Sequence, residues 1–165
     1  SRKPYRCRQL YMTQSSEIYF EIFDGGDLIR IEPYQAVKYD SQLDWDRNWI
    51  KTKVTIKGGV FSGQYIADFM TTDFELLKRD FKRLDKDFNG TAKFEPLEGQ
   101  LILNISGHGL GHFEVKCISQ DQPGIGATLS FTLGFDQTEL RRLTIELDKI
   151  TKAFPISGDM TLKNE

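Results

Sequence analysis

The sequence predicts an α+β domain in which an antiparallel, strongly curved or two-layered sheet of about eight strands carries two amphipathic helices. Three observations support this fold class. Apolar and polar residues alternate over several short segments, as they do in half-buried strands. Two longer segments place apolar residues at steps of three and four, as helices do. Nearly all links between the predicted strands are short, which favours antiparallel neighbours.

Residues 121–154 contain both patterns in direct succession. Residues 128–135 alternate and predict a strand. At Asp136 the period changes, and Asp136 with Glu139 predicts a capping box at the start of a helix. Pro155 would end that helix. Its predicted buried stripe is Leu140, Leu143, Leu147, Ile150 and Phe154.

The first part of the chain predicts two hairpins and a helix. A strand over residues 18–22 turns at residues 24–27, and a short second strand over residues 28–31 is ended by Pro33. Residues 33–47 form a polar connection long enough to be a functional loop. Two further strands turn at Gly58-Gly59.

The first predicted helix follows those strands at once. Thr72 and Glu75 predict its capping box, and Asn89-Gly90 predicts its left-handed stop. Its predicted buried stripe is Phe74, Leu77, Phe81, Leu84 and Phe88. Three more strands lead to residues 121–154. Each half of the chain therefore reads as four strands and a helix, which suggests an internal duplication or a chance likeness between two amphipathic helices.

The length of 165 residues fits one domain, residues 1–165, with residues 1–15 as a possible peripheral extension. No apolar run approaches the roughly 20 residues of a membrane span. The basic N-terminus has no apolar segment behind it, so no secretory signal is visible, and Met12 is a possible natural start. Cys7 and Cys117 are unpatterned, which favours a reducing, cytoplasmic compartment.

Charge is distributed unevenly along the chain. The formal net charge is −2, but residues 1–12 carry +4 and residues 13–165 therefore carry −6. Residues 17–48 contain eight acids against three bases. Nucleic-acid binding would need the opposite sign. The acidic segment is either a solvated face or a patch that attracts a partner.

No group of residues forms a recognisable catalytic or metal site. His108 and His112 stand four apart, but the glycines among them predict a hairpin loop, and no third ligand completes a metal site. The glycine-rich GHGLGH segment is followed by a strand, whereas a nucleotide fingerprint needs a helix there. We therefore predict a protein that is not an enzyme and that has no cofactor.

The best candidate for a binding site is the DWDRNW segment at residues 44–49. Trp45 and Trp49 flank Asp44 and Asp46. The rings either anchor the entry to a strand or form part of an interface, where tryptophan is a favoured contact residue. The two roles are compatible because two rings are available.

Several segments together resemble the WapI-type immunity protein family. They are DWDRNW at 44–49, FSG at 61–63, FEPLEG at 94–99, GHGLGHFEV at 107–115 and DQPG…LSFTLGFDQTELRRL at 121–143. The resemblance covers about residues 40–152 and implies a small cytoplasmic protein encoded beside a secreted polymorphic toxin. Members of the family are thought to bind and neutralise the toxin's C-terminal domain, often a nuclease acting on RNA.

An acidic inhibitor would complement the basic cleft of a nuclease. We therefore expect a cognate toxin domain as the partner, with the binding surface at Asp40, Asp44, Trp45, Asp46 and Trp49. Two other classes remain open. A small-ligand-binding or housekeeping domain would have an apolar pocket between sheet and helices. An unrecognised enzyme would bring the two histidines and several carboxylates together in a cleft.

Overall fold

A computed structural model describes residues 18–37, 39 and 42–158. The first half contains β1 (Phe20–Asp24), β2 (Asp27–Val37), a short 3-10 helix (Asp44–Arg47), β3 (Trp49–Gly58), β4 (Phe61–Met70) and α1 (Thr71–Leu84). The second half contains β5 (Asn89–Phe94), β6 (Leu101–His108), β7 (His112–Gln120), β8 (Thr128–Asp136) and α2 (Gln137–Ala153). The possible extension at residues 1–15, including Cys7 and Met12, lies outside the described residues.

The strands form two four-stranded antiparallel sheets. Sheet A has the order β1-β2-β3-β4 and sheet B the order β5-β6-β7-β8, so that each sheet is a simple meander. One helix follows each sheet directly. The predicted α+β class, the eight strands and the two helices are confirmed.

The predicted end of the second strand at Pro33 is wrong. β2 continues to Val37, with an irregularity in the pairing between Pro33 and Gln35. The pairing with β1 reaches only as far as Ile31, opposite Phe20. Beyond that point proline's missing N–H removes no hydrogen bond to β1, and the strand can pass through Pro33 while it pairs with β3.

The predicted start of α1 is also shifted. The residue before the helix is Met70 rather than Thr72, and the Asp73 carboxylate accepts the N–H of Met70 at 2.8 Å. The strand runs straight into the helix, so Asp73 takes the role that was predicted for Glu75. Asp136 does precede α2, but its side chain makes no cap hydrogen bond.

The chain turns after α1 at Phe88 and not at Asn89-Gly90. Phe88 has a left-handed φ of 57°, and its N–H donates to the Leu84 carbonyl at 2.8 Å. Asn89 and Gly90 already belong to β5. The Phe88 ring packs on Phe113 with centroids 6.3 Å apart, and this contact stabilises an unusual conformation for a bulky residue.

Helix α1 joins the two sheets through aromatic contacts. The Phe81 ring lies 5.9 Å from Phe20 of sheet A and 6.2 Å from Phe135 of sheet B. Nearer the start of α1, the Phe74 ring contacts Phe69 of sheet A and Phe94 of sheet B. The predicted stripes are buried in both helices except at their last members, Phe88 and Phe154, which are half-buried.

Each helix also covers the first strand of the other half. On α2, Glu146 accepts the backbone N–H of Glu21 at 3.1 Å and Arg142 donates to the Glu21 carbonyl at 3.2 Å. On α1, Asp80 accepts the N–H of Lys93 at 3.3 Å. Arg83 donates to the carbonyl of Thr91 at 2.8 Å. This reciprocal arrangement supports the hypothesis of an internal duplication.

Candidate functional site: an acidic and aromatic cleft

Asn48 fixes the connection that carries the predicted site. Its buried side-chain amide donates to the carbonyls of Asp44 and Ser157 at 2.8 and 2.9 Å. Its side-chain oxygen accepts the N–H of Ser157 at 2.8 Å, and its backbone carbonyl accepts the N–H of Thr71 at 3.0 Å. The end of the connection is therefore tied both to α1 and to the segment that follows α2.

Beside this connection lies an open cleft with a volume of about 350 Å³. It is lined by two aromatic and three acidic side chains, namely Tyr39, Trp49, Asp46, Asp68 and Glu98. We call it the acidic cleft. Glu98 comes from the connection between β5 and β6, so both halves of the chain contribute to the acidic cleft.

The charge of the acidic cleft is predominantly negative. Lys51 stands opposite Asp68 in the β3–β4 ladder, and its ammonium nitrogen lies 3.2 Å from the Asp68 carboxylate. That hydrogen bond and the attraction of the carboxylate raise the pKa of Lys51 above its ordinary value. Three carboxylates therefore line the acidic cleft and Lys51 pairs with one of them, Asp68. The two rings offer π surfaces on which a cation is favoured.

The structure places the predicted site residues in different surroundings. Asp46 and Trp49 line the acidic cleft. Asp44 instead lies 3.4 Å from Arg47 and close to Gly158, where an added Cβ would come within 2.4 Å of the Asp44 carboxyl carbon. Asp40 lies outside the described residues, as does the side chain of Trp45.

Three lining residues were missed by sequence reasoning. Tyr39 lies within the predicted loop but has no pattern of its own. Asp68 could have been found from the period of β4, because the same period that buries Phe69 turns Asp68 toward the outer face with Lys51. Glu98 lies within the turn Pro96-Leu97-Glu98-Gly99, and nothing local links that turn to residues 46–49.

The two histidines lie at the other end of the molecule, on either side of the β6–β7 turn. The ring of His112 lies 3.1 Å from the Asp136 carboxylate, and both side chains are exposed. Over the described ranges of the chain, no three His, Cys, Asp or Glu side chains come close enough to hold a metal ion. Cys117 is buried, and burial raises the pKa of its thiol to about 12.

A second cleft, with a volume of about 340 Å³, lies between β4 and β8. At its inner end the Tyr65 hydroxyl donates to the Gln100 carbonyl and lies 2.7 Å from the Ser119 hydroxyl. Burial raises the pKa of Tyr65 to about 12. We call it the inter-sheet cleft. It separates two sheets, whereas the pocket expected for a small-ligand-binding domain lies between sheet and helices.

Two four-stranded antiparallel meanders, each followed by a helix, define an α+β domain built from two similar halves. The family model described as immunity protein WapI-like family matches residues 19–155. The chain belongs to this family, and the predicted resemblance is confirmed.

A comparison with the curated proteins found no match. Among solved structures, the chain is similar to Trypanosoma brucei MRP1/MRP2, with 13% identity over 85% of this chain and 86% of that chain and a TM-score of 0.46. It is also similar to WHY1 from Arabidopsis thaliana, with 12% identity over 86% of this chain and 88% of that chain and a TM-score of 0.46. In the described part of the chain, none of the helices has the length and apolar character needed to cross a membrane.

Proposed function

We propose that this chain is an immunity protein that acts in the cytoplasm by direct binding to a cognate polymorphic-toxin domain. Membership of the WapI-like family supports the immunity role. The proposed mechanism is stoichiometric blocking of the toxin, with no catalytic step and no cofactor.

The observation that carries the proposed binding surface is the acidic cleft. Asp46, Asp68 and Glu98 surround an open volume that also presents the rings of Tyr39 and Trp49. An arginine or lysine side chain that enters such a cleft gains both carboxylate and aromatic contacts. The proposed surface also keeps Asp40, Asp44 and Trp45 from the sequence prediction.

A nuclease domain is the partner that best complements this surface. An enzyme that binds RNA presents basic side chains to phosphate, so its substrate cleft is positively charged. An acidic inhibitor would associate with it rapidly and would compete with its substrate for the same basic groups. The attraction between exposed charges weakens as salt is added.

The test is the affinity of the purified chain for the toxin domain encoded beside its gene, measured by calorimetry at about 50 and about 300 mM salt. We expect tight binding that weakens at the higher salt concentration. Inhibition of the toxin's nuclease activity at one equivalent of chain would support blocking by direct contact. A wild-type chain that does not bind the toxin domain at either salt concentration would refute the proposed function.

Variants locate the surface. Asp46→Asn combined with Glu98→Gln removes two charges from the acidic cleft, and we expect roughly tenfold weaker binding at low salt with a smaller salt dependence. Asp85→Asn combined with Glu114→Gln removes two charges from exposed positions elsewhere and is the matched control. Equal affinity of the two double variants would place the toxin on another surface.

A further inference from the structure

The four outer edges of the two sheets differ in which groups cover them. The edges of β1 and β5 are covered by an acid and an arginine from the opposite helix, as described above. β4 and β8 are also outermost strands, and within the described residues no strand pairs with their outer edges. An open strand edge is a template for pairing with another chain unless it is blocked.

The register shows which groups of β4 face outward. β3 and β4 are joined by the two-residue turn Gly59-Val60, and Gly58 stands opposite Phe61. Because antiparallel pairs alternate between hydrogen-bonded and non-hydrogen-bonded positions, odd-numbered residues of β4 bond to β3. The even-numbered residues Ser62, Gln64 and Ile66 then direct their backbone N–H and C=O groups to the outer edge.

The inter-sheet cleft lies along this edge. It is lined by the consecutive residues 61–65 of the β4 side and 127–129 of the β8 side. A row of consecutive residues contributes both faces of a strand, so the cleft follows the two strand edges and not one sheet face. Its volume of about 340 Å³ provides room for a few residues of extended chain between them.

The chemistry of the inter-sheet cleft selects a mainly apolar strand. Phe61 is 65% exposed at its mouth, and Ile56 and Leu129 form apolar walls. Asp121 is the only carboxylate among the lining residues. A bound strand would therefore place apolar side chains between the sheets and one basic side chain near Asp121, in agreement with the basic character proposed for the toxin domain.

Both the inter-sheet cleft and the acidic cleft are lined in part by residues of β4. Asp68, which lines the acidic cleft, lies on the same outer face as Gln64 and Ile66. Asp68 is the fourth residue after Gln64, so the two lie about 13 Å apart along the strand. Ile66 between them is 48% exposed, so an apolar side chain lies on the surface between the two clefts.

We propose that the inter-sheet cleft receives an extended strand of the toxin domain, which pairs with the outer edge of β4. This inference rests on the proposed function and adds a second contact to it. Main-chain hydrogen bonds would supply affinity, and the apolar walls would select the side chains of the added strand.

The test compares two glycine variants in the same toxin-binding assay. Gly63 lines the inter-sheet cleft, and a Cβ there would meet only Ile56 at an ordinary 3.8 Å. Gly63→Leu therefore fills the cleft without displacing the backbone, and we expect at least tenfold weaker binding of the toxin domain. Gly26→Leu is the matched control, because a Cβ at Gly26 meets nothing within 4 Å and Gly26 is not among the residues that line the inter-sheet cleft.

Ser62→Pro provides a second variant that does not depend on filling the cleft. It removes one outward N–H from β4, and proline is tolerated at such edge positions. We expect several-fold weaker binding with the β3–β4 pairing retained. Both variants are first checked by urea unfolding against the wild-type chain.

The outcomes separate the two proposals. A wild-type chain that does not bind the toxin domain refutes the proposed function and the added strand together. A wild-type chain that binds, with Gly63→Leu and Ser62→Pro binding equally well, refutes the added strand alone. Sedimentation that reveals a wild-type dimer, converted to a monomer by Gly63→Leu, would assign the edge to a second copy and overturn the proposal. A small molecule that co-purifies with the wild-type chain and is lost in Gly63→Leu would assign the cleft to a small ligand and would also overturn the proposal.

Discussion

The two halves of the molecule share their strands and helix but differ in their connections. Both halves run through four antiparallel strands into a helix whose apolar stripe is buried. The connection between the second and third strands spans residues 38–48 in the first half and only 109–111 in the second. The connection between the first and second strands shows the opposite difference. It spans residues 25–26 in the first half and the longer range of residues 95–100 in the second.

The two clefts are built where the halves differ. The acidic cleft takes Asp46 from the long connection of the first half and Glu98 from the long connection of the second. The inter-sheet cleft takes Asp121 and Ala127 from the β7–β8 connection, which is also longer than its counterpart between β3 and β4. The shared elements therefore supply the core, and we propose that the differing connections supply recognition.

The largest effect is expected from the shared core. Phe81→Ala removes a fully buried ring that contacts both sheets, and we expect a loss of about 3–5 kcal/mol in the free energy of unfolding, measured with urea. Phe61→Ala is the matched control, because Phe61 is 65% exposed and its truncation should cost less than about 1 kcal/mol. Equal losses would mean that α1 does not join the two sheets.

The second prediction compares the third residue of each helix. Asp73 of α1 is largely buried, and burial raises its pKa to about 6 from an ordinary value of 3.8. The folded chain thus holds this proton more tightly than the unfolded chain. The resulting stability is fully present below pH 3.8 and is lost as pH rises through about 6.

Asp73→Asn should remove this loss, because its amide oxygen can still accept the Met70 N–H. Between about pH 4 and 7, we expect the free energy of unfolding to fall by about 2–3 kcal/mol less in the variant than in the wild-type chain. Glu139→Gln, at the equivalent and more exposed position of α2, is the control. An unchanged slope in Asp73→Asn would show that its carboxyl titrates normally.

A smaller effect is expected at the longest connection. Asn48→Ala removes three hydrogen bonds that tie residues 44 and 157 together, and we expect a loss of about 1–2 kcal/mol. Toxin affinity should fall further than for the half-exposed control Asn104→Ala, because the acidic cleft loses its support. A stability loss without any change in affinity would separate this connection from recognition.

The smallest effect is expected at His112, the residue that directly follows the corresponding connection of the second half. His112→Gln removes an exposed contact with Asp136, and we expect a change below about 0.5 kcal/mol in urea unfolding and no change in toxin affinity. A tenfold loss of affinity would place recognition on the short connection as well, and the contrast between the halves would fail.

Periodicity predicted the shared elements well because each strand and helix buries one face. The alternation at residues 128–135 and the stripe at Phe74, Leu77 and Phe81 are local patterns with one structural solution. The end of β2 was missed because the tolerance of Pro33 depends on where β1 stops pairing, which is a property of the sheet. The start of α1 was missed because strand and helix are continuous through Met70.

The acidic cleft could be predicted only in part. DWDRNW drew attention to Asp46 and Trp49 because acidic and aromatic residues are adjacent there in sequence. Glu98 and Asp68 belong to other elements and reach the cleft through tertiary packing. The inter-sheet cleft had no signal at all, since an open strand edge is defined by which strands do not pair.

Hydrogen exchange of the chain with and without the toxin domain would show which residues the toxin covers. If the toxin is recognised by the long connections and by the outer edge of β4, protection on binding will fall on residues 42–48, on β4 and on residues 95–100. The β6–β7 turn and the outer face of α2 will exchange as in the free chain. Protection confined to that turn or to α2, with β4 unchanged, would show that the toxin binds a different surface from the one proposed.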